Sequence, residues 1–322
     1  MHRAMNRDGC SSYPTGGPMT NPRRSRKRLL GLLPMLLAIC ACAPSASAPE
    51  QPVRLDIRSP ELYSAPAART ELRIASLNVA HGRGDSLNQL LVSRRAIRDN
   101  LRKIARFLVQ QRIDIVALQE ADAPSHWSGG FHHTDFLANR VGYPWWTQDS
   151  HARLGIANYG TAVLSALPIT AAAGLSFAPS PPTARKGFTV AEIQWPVAPG
   201  HEQTVDVISV HMDFSRKSVR ERQSAELAEI MQGRKNPLII MGDFNSEALA
   251  SRLVAAAATN DRLLHTPDTG AGQLSTYKNK RLDWIIISGE LEFIDYRSAP
   301  EVLSDHRAVV ASVRLRNAET KD

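Results

Sequence analysis

A chain of 322 residues with 43% hydrophobic content is long enough to bury a large core, and its composition excludes a disordered or fibrous protein. The net charge of +8 is carried mostly by the first 48 residues, which supply +6 and leave only +2 for the rest of the chain. A charge this close to neutral removes the electrostatic argument for a general DNA-binding protein and leaves room only for a local basic patch.

The N-terminal region has the layout of an export signal. A basic cluster from Arg23 to Arg28 precedes an apolar stretch from Leu29 to Ala43, and Ala46-Ser47-Ala48 follows as a cleavage site. Met19 would give a compact signal and is the expected true start. The apolar stretch is shorter than the ~20 residues that span a bilayer, which disfavours a membrane anchor. We therefore expect residues 1–48 to direct export, to the periplasm or outside the cell.

All three cysteines lie in this leader, at positions 10, 40 and 42. Cleavage after Ala48 would leave a chain without thiols, so any metal must be held by oxygen and nitrogen atoms. The segment Ile39-Cys40-Ala41-Cys42 roughly resembles a lipoprotein signal. Lipidation at Cys42, with membrane association, is therefore the alternative to cleavage after Ala48.

Past the leader, residues 49–70 are rich in Pro, Ala and Ser and predict a flexible tether. Strand and helix patterns then alternate. Strands are predicted at 71–80, 113–120, 159–169, 187–195, 204–212, 237–245, 281–287, 291–297 and 307–315, and helices at 87–111, 218–232 and 247–258. Ser86 is the expected cap of the first helix. Residues 121–158, which include Trp145 and Trp146, predict a long surface excursion. Residues 71–316 are therefore expected to form one layered α/β domain.

Polar residues end several of the predicted strands, where a buried strand does not need them. Asn78, Glu120 and His211 each follow an apolar run. Buried polar groups are costly unless they are paired or bind a metal, so this repetition indicates one shared site. Glu120 and Asn78 offer hard oxygen donors suited to Mg²⁺. Taken singly, each is more often a solvated acid or a turn residue, and only the later motifs raise its value.

The sharpest motif is Gly242-Asp243-Phe244-Asn245, which closes an apolar strand. Gly242 permits close backbone approach, Asp243 can orient or deprotonate a water molecule, and Asn245 can donate to a phosphate oxygen. Alone, such a cluster is usually a turn.

A second motif is Ser304-Asp305-His306, just before the last predicted strand. His306 can donate to a phosphate or take a proton, and Asp283 could hold its imidazole in the required tautomer. His211 is a further candidate phosphate donor. Tyr159 is another, although a packed aromatic is as good an interpretation, and Asp213 is expected to be structural.

Together these motifs resemble the endonuclease/exonuclease/phosphatase superfamily of DNase I-like, metal-dependent phosphoesterases. They occur in the family's order between Glu71 and Leu315: Leu77-Asn78, Gln119-Glu120, Tyr159-Gly160 with Leu164-Ser165, His211, Gly242-Asp243-Phe244-Asn245, Leu282-Asp283 and Ser304-Asp305-His306. The resemblance implies a four-layer α/β/β/α sandwich, with two mixed β-sheets packed face to face and helices outside. It places the site at one edge of the sheets.

The resemblance also implies a role for each matching position. Glu120, supported by Asn78, would hold a catalytic Mg²⁺, for which Mn²⁺ could substitute, and Asp305 would lie near the metal or the attacking water. Asp243 would orient or activate that water, and the pair of Asp283 and His306 would act in acid–base chemistry or transition-state stabilisation. The scissile phosphate would be bound by Asn245 and His211. Whether Asp243 or His306 takes the proton stays open.

The function implied is hydrolysis of a phosphate monoester or diester by an exported enzyme, which we expect to be a monomer. A nucleic-acid substrate needs basic or stacking residues around the cleft. The candidates are Arg83, Arg185, Lys186, Lys278, Lys280 and Arg281, although Arg185-Lys186 is better interpreted as a solvated pair. A lipid or sugar-phosphate head group is the alternative, favoured by export, by Cys42 and by Trp145-Trp146 in a predicted loop. A third possibility is a catalytically inactive binding protein on the same fold.

Overall fold

The computed structural model describes residues 53–59, 66–258, 263–267 and 274–316. The predicted export signal, with Met19 and Cys42, lies outside the described residues. All described residues belong to one compact unit. Within the described ranges, no helix is long and apolar enough to cross a membrane.

The described chain contains strands and helices in alternation. The strands are β1 (Val53–Arg54), β2 (Glu71–Asn78), β3 (Ile115–Asp122), β4 (Trp145–Leu154), β5 (Ala157–Ser165), β6 (Ile169–Ser176), β7 (Gly187–Ala198), β8 (His201–His211), β9 (Leu238–Asp243), β10 (Leu264–His265), β11 (Asp283–Ser288), β12 (Leu291–Ser298) and β13 (Val309–Leu315). The helices are α1 (Arg94–Gln110), α2 (His133–Val141), α3 (Lys217–Gln232) and α4 (Glu247–Ala258).

These strands form two mixed sheets. One has seven strands in the order β1-β6-β7-β8-β9-β11-β10, and the other has six in the order β12-β13-β2-β3-β5-β4. Apolar residues from both sheets, such as Ile74 and Ile239, share one buried cluster between them. The outer face of the six-stranded sheet packs against α1 and α2, and that of the seven-stranded sheet against α3 and α4. The predicted four-layer sandwich is confirmed.

The sequence of α1 has the spacing of apolar residues that favours a helix packed on a sheet. Ile97, Leu101, Ile104 and Leu108 recur at helical spacing and are buried against the sheet. The predicted start at residue 87 with Ser86 as the cap is wrong. The Oγ of Ser93 accepts from the backbone N–H of Ala96 at 3.2 Å, and a separate 3₁₀ turn occupies residues 89–91.

The region predicted to be a long surface excursion contains a helix and a strand instead. Helix α2 and strand β4 fill most of residues 121–158. Trp145 and Trp146 therefore lie in a strand, where both pack against the core, and not in a loop. Strand β4 is at the edge of its sheet, so one side of it stays partly exposed and its sequence lacks the apolar pattern of a central strand.

The predicted tether is wrong for its described part. Strand β1 pairs with β6 and forms the edge of the seven-stranded sheet, and Arg58 forms a β-bridge with Trp146. Further along, the backbone N–H of Arg69 donates to the carbonyl of Pro196, and its guanidinium pairs with Asp114. Free backbone groups on edge strands favour such additions, which composition alone does not reveal.

Sheet direction brings the polar strand ends together. Strands β2 and β3 are parallel neighbours, and so are β8 and β9. The carboxyl ends of each parallel pair lie at the same edge of its sheet, and the two sheets meet there. Strand β11 runs antiparallel to β9 and therefore starts at that edge, with Asp283 opposite Asp243.

Candidate active site

Asp243 lies at the centre of this edge. It is fully buried, and its Oδ2 accepts from the Nδ2 of Asn78 at 3.2 Å while its Oδ1 accepts from the backbone N–H of Asn245 at 2.9 Å. The preceding Gly242 has φ of +155°, and a Cβ there would lie 1.9 Å from the carbonyl oxygen of Val210. The close approach expected of Gly242 is thus what allows β9 to carry Asp243 against β8.

Asp283 and His306 form a buried pair beside it. The Nδ1 of His306 lies 2.7 Å from the Oδ2 of Asp283, and its Nε2 lies 4.0 Å from the Oδ2 of Asp243. Burial lowers the pKa of His306, but the charge of Asp283, its hydrogen bond and the charge of Asp243 outweigh burial and raise the pKa to about 10. The imidazole is therefore protonated at neutral pH. The ring of Tyr277 covers it at 4.9 Å between centroids.

The same environment also favours the protonated form of Asp243. Burial and the charge of Asp283 raise the pKa of Asp243 to about 7, against the opposing charge of His306. A carboxyl group with this pKa can exchange a proton near neutral pH, whereas His306 holds its own. Geometry and charge thus make Asp243 the better proton acceptor of the two and His306 the donor.

Glu120 also lines the cavity and lies at a β-bulge, where its own φ is +52°. Four nitrogen-bearing side chains surround its carboxylate at 3.3–4.0 Å: His81, Arg83, His211 and Lys186. Burial would raise the pKa of Glu120, but the charges of these groups outweigh it and hold the pKa well below its usual range. Glu120 is therefore ionised.

Asp305 is the second oxygen donor on this side. Arg83 donates to its Oδ2 and lies 3.7 Å from Glu120, so one guanidinium joins both carboxylates. The Oδ1 of Asp305 is buried and has no hydrogen-bond partner among the described residues. An unsatisfied carboxylate oxygen near the ionised Glu120 fits a hard divalent cation.

Asn78 is only partly available as a further oxygen ligand for a metal ion. Its Oδ1 already accepts from the backbone N–H of Ala80 at 3.0 Å, and its amide group donates to Asp243. In this arrangement Asn78 orients Asp243. A second group that could hold a metal ion consists of Asp243, Asp283 and His306. The Oδ2 of Asp283 is paired with His306, whereas its Oδ1 is buried without a hydrogen-bond partner among the described residues.

Some of the remaining predicted site residues line the cavity and others do not. The cavity has a volume of about 400 Å³, and besides the residues already described it is lined by His211, Asn245, Phe214, Lys278 and Lys280. Burial and the charge of Lys186 hold the pKa of His211 well below its usual range.

Tyr159 is nearly buried and does not line the cavity; its ring packs 4.5 Å from that of His81. Asp213 accepts from the backbone N–H groups of Ser215 and Arg216 and is structural, as expected.

Two of the basic residues proposed for the cleft behave differently from expectation. Arg281 is buried with its guanidinium 3.6 Å from the ring centroid of Trp284, so it packs against aromatic side chains and does not line the cavity. The interpretation of Arg185-Lys186 as a solvated pair is wrong for Lys186, which is buried with its Nζ 2.9 Å from the Nε2 of His211.

The sequence patterns missed a second buried His–Asp pair. The Nδ1 of His81 lies 2.7 Å from Asp122, and its Nε2 lies 3.3 Å from Glu120. Burial lowers the pKa of His81, but the charge of Glu120 and the hydrogen bond to Asp122 raise it overall. Asp122, two positions after Glu120, was within reach of the strand-end argument. His81 was not, because left-handed backbone at Ala80 and His81 turns it back into the site.

This geometry defines a phosphoesterase-type site at the edge of a two-sheet sandwich. The chain matches the model of the Endonuclease/Exonuclease/phosphatase family over residues 75–306, and it belongs to that family. Family members are hydrolases that act on phosphate esters. A search of curated proteins finds no significant match.

Solved structures agree in fold. An endonuclease/exonuclease/phosphatase from Bacteroides vulgatus is 16% identical, with a TM-score of 0.59 over 77% of this chain and 100% of that one. A mannosyl-6-phosphatase of Bacteroides thetaiotaomicron is 16% identical, with a TM-score of 0.55 over 76% and 99%. The human Nocturnin catalytic domain with bound sulfate anion is 18% identical, with a TM-score of 0.56 over 81% and 98%. At these identities the likeness shows the fold alone.

Proposed function

We propose that this protein is an exported, Mg²⁺-dependent hydrolase of phosphate monoesters or diesters, in which water attacks a phosphate bound in the cavity of about 400 Å³. One observation carries the proposal. A proton acceptor, Asp243, and a protonated donor, His306, lie 4.0 Å apart on the cavity wall, and an ionised carboxylate, Glu120, lines the same cavity. A structural role would not need a proton acceptor and a protonated donor held side by side at a cavity.

Each of these residues has a separate role in the proposed reaction. Asp243, fixed by Asn78 and the backbone of Asn245, accepts the proton of the attacking water. His306 Nε2–H donates to a phosphate oxygen or to the leaving group, while Asp283 holds the ring through Nδ1. His211 and the exposed Lys278 and Lys280 supply further contacts for phosphate oxygens on which negative charge builds up.

Glu120 and Asp305 would hold the cation, with Asn78 beside them. The donor set is composed of oxygen atoms, which favours Mg²⁺ and would accept Mn²⁺. When bound, the ion would neutralise negative charge on the phosphate. Arg83 joins the same two carboxylates, so it would have to move aside or share them when a cation binds.

The substrate class has two candidates. Lys278 and Lys280 at the rim favour a substrate with additional negative charge, as nucleic acid has. The mannosyl-6-phosphatase among the structural neighbours directs attention to sugar phosphates, and the predicted export signal to envelope lipids. A binding protein without activity is disfavoured because the complete set of acids and histidines is present at the cavity.

The test compares the purified wild type with Asp243→Ala and His306→Ala on bis-p-nitrophenyl phosphate, plasmid DNA and sphingomyelin, each with Mg²⁺ and with EDTA. His201→Ala is the matched control, since His201 is exposed at the opposite end of β8 from His211. We expect metal-dependent turnover that both site variants abolish and the control retains. Turnover that survives in both site variants would refute the assignment. Recovery of the chain from the periplasm or medium tests export separately.

A further inference from the structure

An apolar surface lies beside the candidate site and has no role in the proposed chemistry. Leu87 is fully exposed, and Leu90 and Leu91 are 65% and 83% exposed. They belong to the segment of residues 79–93 that connects β2 to α1. Three exposed leucines within five residues are unusual on a soluble surface, where single exposed apolar residues are normal and clusters mark an interaction.

These leucines are held in place. The side chain of Asn88 accepts from the backbone N–H of Leu90 at 3.0 Å and caps the 3₁₀ turn. The Nε2 of Gln89 donates to the carbonyl of Trp127 at 2.8 Å and lies 3.3 Å from the carbonyl of His81. Gln89 thus fixes the segment to the site, while the three leucines project into solvent.

A second apolar tip lies next to the first. The turn between β4 and β5 exposes Leu154 and Ile156 by 51% and 50%. The carbonyl of Ile156 accepts from the backbone N–H of Trp127 at 3.0 Å, and Gln89 donates to the carbonyl of the same Trp127. Backbone hydrogen bonds of Trp127 therefore link the segment that carries the three leucines to the β4–β5 turn. We call the five aliphatic side chains on them, Leu87, Leu90, Leu91, Leu154 and Ile156, the apolar rim.

The apolar rim is on the catalytic edge of the fold. Trp127 packs 5.3 Å from His81, whose Nε2 contacts Glu120. Strand β5 runs antiparallel to β3, so the β4–β5 turn projects beyond the end of β3 that carries Glu120. A surface that contacted the apolar rim would lie beside the mouth of the cavity.

Basic side chains flank the rim. Residues 83–98 contain four arginines and one acid, and helix α1 carries six basic residues and one acid. Arg94 and Arg95 are exposed at the start of α1, and Arg153 is exposed beside Leu154. This is a strong local asymmetry, because the chain beyond residue 48 has a net charge of only +2.

We propose that the apolar rim and its flanking arginines dock the protein on an anionic lipid surface. Aliphatic side chains beside arginines match an interface in which acyl chains lie under negatively charged head groups. A protein partner or a second copy would bury the leucines as well, but would not require arginines on both flanks of the rim. The proposal concerns where the enzyme acts, and it does not depend on the hydrolysis proposed above.

The test is hydrogen exchange on the full-length chain, alone and with vesicles of phosphatidylcholine or of phosphatidylcholine mixed with phosphatidylglycerol. We expect the mixed vesicles to slow exchange at least several-fold in peptides covering 87–91 and 154–157, and not in 291–298. Leu90→Ser/Leu91→Ser should abolish this protection. Arg94→Gln/Arg95→Gln should reduce it several-fold, and high salt should do the same. The matched control, Val109→Ser/Ile294→Ser, removes two exposed aliphatic residues outside the rim.

Three outcomes would overturn the inference: no protection of either tip when vesicles bind, equal protection by uncharged vesicles, or protection without vesicles that grows with protein concentration. The last would identify a second copy as the occupant. Turnover of soluble bis-p-nitrophenyl phosphate should be unchanged in the leucine variant. If the wild type hydrolyses nothing, the proposed function fails while the exchange result still decides the docking surface.

Discussion

Replacing Asp283 by Asn removes one charge and keeps the shape of the buried pair. Asp283 is fully buried, and its Oδ2 lies 2.7 Å from the Nδ1 of His306. The asparagine carbonyl can still accept that hydrogen bond. The substitution therefore tests the charge of the pair more than its packing.

The expected effect follows from the two pKa values that Asp283 controls. Raising the pKa of His306 from 6.5 to about 10 corresponds to ~5 kcal/mol of preference for the protonated form, most of it due to Asp283. Without that charge, His306 should lose its proton in the neutral range. The pKa of Asp243, now about 7, should fall as well, because Asp283 is one of the causes that raise it.

Both limbs of the pH–rate profile should therefore move to lower pH. In the wild type, activity should rise through pH about 7 as Asp243 loses its proton and fall through pH about 10 as His306 does. In Asp283→Asn, the alkaline limb should reach the neutral range and the maximum kcat should fall roughly 100- to 10,000-fold. Breaking the buried pair should also cost about 3 kcal/mol of unfolding free energy.

The assay is kcat/KM for bis-p-nitrophenyl phosphate across neutral and alkaline pH, with the exposed Asp295→Asn as the control. An alkaline limb that stays near pH 10 in an active Asp283→Asn variant would refute the assignment of His306 as the acid. A fall in kcat with no change in either limb would mean that Asp283 acts through structure alone.

Three further predictions concern metal binding and stability. Glu120→Gln should weaken Mn²⁺ binding, measured by electron paramagnetic resonance, at least about 100-fold; unchanged binding would move the metal site elsewhere. Arg234→Met leaves Asp206, whose side chain is 1% exposed, without its guanidinium partner, and should cost about 3–5 kcal/mol in denaturant unfolding. Burial and the charge of Lys186 lower the pKa of His151 to about 3, so the unfolded chain binds its proton first as the pH falls. Denaturant unfolding of the wild type and His151→Gln isolates this contribution, because other groups titrate in the same range. The stability of the wild type relative to His151→Gln should drop by ~1.4 kcal/mol for each pH unit between about 6.5 and 3, and a difference that does not vary with pH would contradict this.

Most of the fold could be predicted from periodicity. Apolar alternation marked nine of the strands, and helical spacing marked α1, α3 and α4. Errors occurred where local signals were weak. The edge strand β4 and the short helix α2 lack a clear pattern, and strand β1 depends on backbone groups that β6 leaves free.

The site was predictable in part. Asn78, His211 and Asp243 end strands as polar residues, and Glu120 lies two residues before the end of β3. A polar residue at the end of a buried strand needs a reason. Lys186 is the contrasting case. Nothing near it in the sequence distinguishes a buried cation from a solvated one, because its partners come from β8 and from the bulge in β3.

The sequence by itself therefore determined the family, the layers and the residue types at the catalytic edge, since these follow from short-range patterns. Only the tertiary structure decided the protonation of the site and the presence of the apolar rim. A pKa depends on burial and on charges brought together from distant strands: Asp283 controls both His306 and Asp243 across gaps of 23 and 40 residues in the chain. The apolar rim depends on two loops, more than 60 residues apart, that meet at Trp127.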